Sequence, residues 1–116
     1  MPFQMLLDSL LGAPGVIGAL LLDSEGEVAI ESGAQDIRHR LIGAYQGIAL
    51  AAVRRVHERT GLGATKGITC RYDGGLLVTR PLQDGYFLIV SLEPDRPLAP
   101  ALRASGELSV LLDREL

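Results

Sequence analysis

Cys70, His39 and His57 are the side chains of this chain best suited to nucleophilic or general-base chemistry, and Asp23, Glu25, Glu27 and Glu31 form its densest acidic group. A reactive thiol needs a base beside it, or a cationic and partly exposed setting. The two histidines fall near opposite ends of one helical segment, and no spacing brings either of them to Cys70. With Ile68 and Tyr72, Cys70 alternates onto one strand face, where a thiol behaves as a small buried hydrophobe. His39 and His57 fall on the polar sector of their helix, which suits solvated rings better than metal ligands. The four carboxylates surround one turn, and charged residues on an outer strand protect its edge from aggregation. No set of His, Cys, Asp and Glu has metal-ligand spacing. Neither a metal nor another cofactor is expected. The phosphate loop G-x-x-x-x-G-K-S/T is absent, and Gly12, Gly15 and Gly18 lack the following helix of a dinucleotide site. The chain is read as a non-enzyme.

Composition narrows the remaining classes. The 116 residues suit a single domain spanning 1–116, with 47% hydrophobic and 22% charged residues. A net charge of −3 gives no field that gathers nucleic acid or anionic lipid. One cysteine forms no intrachain disulfide. The opening MPFQMLLDSLLGAPG lacks the basic start and long apolar core of a signal peptide. The longest apolar stretch, 41–53, falls short of the roughly 20 residues that span a bilayer. A cytoplasmic protein with no membrane insertion is expected.

Periodicity then supplies the elements that would position any site. Phe3, Leu6, Leu7, Leu10 and Leu11 share one face of a helix over 2–11, started by Pro2 and stopped by Gly12 and Pro14. VIGALLL (16–22) reads as a strand buried on both faces, and EVAIES (27–32) as its half-exposed hairpin partner. The main helix runs from Asp36 to about Arg59, with Gly61 after its end. Strands return at 65–72, 76–82 and 86–92, separated by Asp73-Gly74-Gly75 and Asp84-Gly85, where Asp and Gly answer turn geometry. Pro81 interrupts a ladder, so the end of the fourth strand is expected to bulge or fray. Leu98, Ala101, Leu102, Ser105, Leu108 and Leu112 mark a last helix starting near Pro97 and Pro100. The order αββαβββα, with strands apolar on both faces, requires an α/β three-layer α-β-α sandwich around a five-stranded, mostly antiparallel sheet.

The main helix carries more apolar surface than one face needs. Ile37, Leu41, Ile42, Tyr45, Ile48, Ala49, Ala52, Val53 and Val56 fill one broad sector, which is assigned to the sheet. Gly43, Ala44, Gly47, Leu50 and Ala51 form a second sector. Gly43, Gly47 and Ala51 recur every four residues as a shallow groove, and helical glycine costs about 1 kcal/mol unless close approach repays it. Such glycines can also merely fit against the chain's own sheet, but the larger apolar residues are already assigned to the sheet-facing sector, so the groove is assigned to another protein.

GVIGALLLDSEGEVAIESG (15–33) resembles the opening strand pair of the Roadblock/dynein-light-chain domain family. LLVTRPLQDGYFLIVSLEPDRPLAPALR (76–103) resembles that family's closing strands and last helix. With the matching element order, the resemblance covers nearly the whole chain, through soft patterns of apolar strands and turn glycines. It implies dimers joined through the third strand's edge and the middle helices. It further implies, for the bacterial gliding-motility type, binding to small Ras-like GTPases, with GTP hydrolysis accelerated in some members by reshaping the GTPase's own loops. Eukaryotic members are subunits of dynein or scaffolds for GTPases on organelles.

On that basis Gly43, Gly47, Leu50, Ala51 and Arg54 are the expected partner-binding residues. Ala44, Lys66, Ile68 and Cys70 are the expected homodimer contacts. Gly47→Arg is expected to break recognition while sparing the fold. Arg54 and Arg55 invite comparison with an arginine finger, but cations near a helix C-terminus also complement its dipole, and the resemblance implies no inserted finger. The alternative reading is a small-molecule sensor of related sandwich fold. Such sites favour aromatic lining, and with two Phe, three Tyr and no Trp the chain offers little.

Overall fold

The computed structural model describes residues 3–33 and 37–116. VIGALLL forms β1 (Val16–Leu22) and its turn leads to β2 (Val28–Gly33). The long helix α2 (Ile37–Thr60) follows, then β3 (Ile68–Tyr72), β4 (Gly75–Pro81) and β5 (Phe87–Leu92). The first helix α1 covers Phe3–Asp8 and tightens into a 3-10 turn over Ser9–Gly12, and α3 covers Ala99–Glu115. The helix starts expected at Pro2 and Asp36, and the side-chain positions expected for Ile37 and His39, lie outside the described residues.

The sheet has the order β2-β1-β5-β4-β3, with every pair antiparallel. All six residues of the central strand β5 are buried, as the continuous apolar run requires. The three layers are those expected from the sequence. Ala19, Leu21, Val78, Leu88, Val90 and Leu92 face α1 and α3, meeting Leu7, Leu10, Ala101, Leu108 and Leu112. Leu20, Leu22, Leu77, Phe87 and Ile89 point the other way, toward α2.

Local chemistry sets the joints. At the β4–β5 turn Asp84 and Gly85 both have positive φ (58° and 78°), and the Tyr86 N–H donates to the Gln83 carbonyl at 3.1 Å, the left-handed geometry that matches strand twist. Gly61 (φ 74°) ends α2, and the Leu62 N–H returns to the His57 carbonyl at 3.0 Å, satisfying a helix carbonyl that would otherwise lack a partner. Two expectations are corrected. Pro81 ends β4 with its register to β5 unbroken, because a proline at a strand end removes no interior ladder bond, and the register shifts lie elsewhere: Ala29 of β2 is the extra residue opposite Leu21 and Leu22, and Ile17 of β1 is the extra residue opposite Leu92 and Ser91. The third strand begins at Ile68, since residues 61–67 form a loop in which Thr65 is already committed to a side-chain contact.

At the β2 edge α1 supplies cover. Gln4 Nε2 donates to the Glu31 carbonyl at 2.8 Å and to Asp8 Oδ1 at 3.0 Å, and the Ser32 hydroxyl also donates to Asp8 Oδ1. The Ser32 bond first, and the Gln4 bond second, hold the Asp8 carboxyl below its ordinary value of 3.8. A lowered carboxyl pKa contributes stability that is present above the unfolded value and is lost as pH falls through the folded one. In a carboxyl NMR titration Asp8 should therefore titrate below 3.8, and Ser32→Ala should move it back up toward that value. A midpoint unchanged by Ser32→Ala would contradict this arrangement.

Candidate protein–protein interface

The side of α2 that meets the sheet is the glycine side. Gly43 and Leu50 are buried, and Gly47 is half-buried. A Cβ added at Gly43 would stand 2.8 Å from Leu22 Cδ2, and one at Gly47 would stand 2.8 Å from Phe87 Cζ. This reverses most of the assignment drawn from the sequence, although Ile42, expected to face the sheet, does pack half-buried against the α2–sheet cluster. The bulk of the α2–sheet layer comes from the strands, with Leu50 the helix's fully buried apolar contribution among the described residues. Large strand residues leave room only for small helix residues, so close approach selects the glycines.

Gln46 shares that inward side and is buried. Its Nε2 donates to Thr79 Oγ1 at 3.3 Å and to Cys70 Sγ at 3.5 Å. A buried amide is costly without partners, and here it pins the helix to β3 and β4. The Cys70 thiol is half-buried and accepts this contact, in keeping with a structural cysteine. No group of three or more His, Cys, Asp or Glu among the described residues can hold a metal ion.

The opposite side of α2 is apolar and open. Leu41, Tyr45, Ile48 and Val56 are 53%, 70%, 67% and 56% exposed, and the exposed Ala52 continues their line. Steps of four, three, four and four residues place these five on one stripe along the helix. Beside the stripe an open, mostly apolar cleft of about 440 Å³ runs between Arg38, Leu41, Ile42, Tyr45, Gln46 and Leu77. Single exposed apolar residues are ordinary on a protein surface, but a contiguous patch of them marks an interaction surface.

The sequence-derived site residues separate accordingly. Gly47, Leu50, Ala51 and Arg54 do come together, lining an open cleft of about 320 Å³ with Ser24, Gly26, Gly85 and Phe87, where α2 passes the β1–β2 turn. Gly43 lies outside that cleft, against Leu22. Ala44 is exposed and flanks the stripe. Ile68 and Cys70 are half-buried on the α2 side of β3, and Lys66 is exposed in the preceding loop. The strand β3 is an outer strand, as expected, and its Thr69, Arg71 and Tyr72 are exposed. Glu31 does more than charge an outer strand: its Oε1 pairs with Arg40 Nη2 at 2.6 Å, tying β2 to the start of α2. The missed residues are Leu41, Tyr45, Ile48 and Val56. Their sidedness depends on which strand residues are large, a comparison between elements that helical periodicity within α2 does not contain.

The family model for the Roadblock/LC7 domain matches residues 2–92, most of the chain. The chain belongs to the Roadblock/LC7 family. Among solved structures, MglB of Myxococcus xanthus superposes with a TM-score of 0.85 at 15% identity, covering 99% of this chain and 97% of that one. The gliding protein MglB from Thermus thermophilus gives 0.84 at 17% identity, over 96% and 85%. A Roadblock/LC7 domain from Streptomyces avermitilis gives 0.80 at 20% identity, over 99% and 94%. At these identities the likeness is one of fold. No curated protein matches the sequence.

The reversed face of α2 changes what a substitution does. Gly47→Arg, expected from the sequence to spare the fold, now drives a side chain into the buried Phe87 ring. Overpacking a core typically costs about 1–3 kcal/mol, so Gly47→Leu should lower the urea midpoint by a corresponding amount. Glu107→Gln, at an exposed position of α3, should stay within about 0.5 kcal/mol of the parent. Equal stability of Gly47→Leu and the parent would contradict the inward placement.

Proposed function

We propose that this Roadblock/LC7 domain, taken as one domain over residues 1–116, is a homodimeric cytoplasmic regulator or adaptor that binds a small Ras-like GTPase. The observation that carries the reading is the exposed stripe Leu41, Tyr45, Ile48 and Val56 on α2. A second copy covers it, with the outer strand β3 continuing the same surface. Burying such residues contributes roughly 25 cal/mol per Å² of apolar area, and a stable interface of standard size buries roughly 1,600 Å² in total. The stripe supplies the apolar centre of such an interface, and Lys66, Arg71 and Tyr72 around β3 supply its polar margin.

The GTPase side of the reading is supported by family membership and by the MglB-like fold. The cleft holding Gly47, Leu50, Ala51 and Arg54 is the proposed contact, because it lies beside the stripe and brings Arg54 and Glu25 together on one hollow of mixed polarity. The chain supplies no catalytic group in this reading; any change in GTP hydrolysis arises in the GTPase. No helix among the described residues is long and apolar enough to cross a membrane.

Light scattering should give a dimer at tens of micromolar, and Ile48→Arg should give a folded monomer, because a charge placed in an interface core loses its hydration without gaining a partner. A parent monomer under those conditions would contradict the dimer. Calorimetry with candidate Ras-like GTPases, loaded with GDP or a non-hydrolysable GTP analogue, should reveal binding that depends on the nucleotide, and Arg54→Glu should weaken it. Saturable nucleotide binding by this chain alone would overturn the non-enzymatic reading.

A further inference from the structure

Arg80 stands near the end of β4 and is half-buried between three elements. Its Nε donates to Ser105 Oγ at 3.1 Å and its Nη2 to the Leu102 carbonyl at 2.8 Å, both on α3. Its Nη1 donates to the Lys66 carbonyl at 3.3 Å, in the loop that enters β3. Two glycines lie against this planar group. A Cβ at Gly106 would lie 3.4 Å from Nη2, and one at Gly67 would lie 3.4 Å from Nη1 and 3.2 Å from the Thr79 carbonyl. The loop is gripped from the other layer as well. His57 Nδ1, near the end of α2, stands 2.6 Å from the buried Thr65 Oγ1.

Consecutive residues Thr65 and Lys66 are thus fastened to the two opposite helical layers, just before the outer strand begins. Arg80 has the geometry for this task that lysine lacks, since its rigid fork presents several donors in fixed directions. We infer that Arg80 is a positioning residue that couples α3 to the outer strand β3, so that the seating of the C-terminal helix sets the geometry of the edge used for self-association. The association part rests on the homodimer reading above. The coupling itself is a property of one copy and stands on the contacts just described. A partner that shifts α3 then alters pairing at β3 without touching α2.

The test compares Arg80→Met, Arg80→Lys and the parent by site-resolved amide hydrogen exchange and by the dimer dissociation constant. Local opening is read residue by residue in such exchange. Arg80→Met should speed exchange at residues 67–70 by about tenfold, while Leu20–Leu22 and Leu88–Val90 exchange as in the parent. The same variant should weaken dimerisation by about tenfold or more. Arg80→Lys should restore little of either, because charge alone does not replace the fork. Unchanged exchange at 67–70, or a uniform rise in every strand, would overturn the coupling. Faster local exchange with an unchanged dissociation constant would overturn its role in association. Should the parent itself be monomeric, the homodimer reading fails, and local exchange alone decides the clamp.

Discussion

Two glycines facing Leu22 and Phe87 set how near α2 lies to the sheet, and the character of the molecule's outer surface depends on that distance. Each helical glycine costs about 1 kcal/mol relative to alanine. Full burial of a leucine or phenylalanine is worth roughly 1.5–3 kcal/mol, and the helix lying close over Leu22 and Phe87 leaves them at 0% and 4% exposure. The burial outweighs the glycine cost. With glycines at the two closest approaches, Leu50 and the half-buried Ile42 are the large apolar residues that α2 packs against this cluster among the described residues, and Leu41, Tyr45, Ile48 and Val56 face outward.

The path of the chain makes this placement consequential. From β2 at one edge, the backbone crosses the sheet through α2 and enters β3 at the other edge. A helix of 24 residues at about 1.5 Å per residue extends roughly 36 Å, longer than the width of about 19 Å that five strands at 4.8 Å spacing require. The helix therefore offers a long outer side next to an outer strand. Gln46 holds its middle over Thr79 and Cys70, and His57 and Arg80 hold the loop after its end. Apolar stripe, outer strand and fastened loop form one continuous region, and this gives the Roadblock/LC7 fold of this chain its proposed capacity for self-association.

Elements and layers were legible in the sequence because their signals are local. Asp84-Gly85 specifies its turn by backbone conformation, Gly61 ends its helix, and the unbroken run in β5 announces burial on both faces. That α2 is apolar on two sides was legible too. Which side faces outward was not. Periodicity within the helix separates two apolar sectors but does not rank them, and the intuition that larger residues face the core fails when the strands supply the bulk. Gly43 and Gly47 were recognised as places of close approach, yet the approaching group is the protein's own sheet. Arg80 was hidden for the same reason: a single arginine in a strand pattern says nothing of Lys66, Leu102 and Ser105, which lie far away in sequence.

The helix α2 turns its glycines to its own sheet and, in the proposed homodimer, its Leu41–Tyr45–Ile48–Val56 stripe to a second copy. An isotope-filtered NOE experiment on a sample mixed from labelled and unlabelled protein tests both halves together. The account predicts intermolecular contacts from the Ile48 methyl groups and the Tyr45 ring, with contacts from the Gly47 Hα protons to Phe87 only within one chain. Intermolecular contacts at Gly43 and Gly47, or the absence of any intermolecular contact from Ile48 and Tyr45, would contradict it.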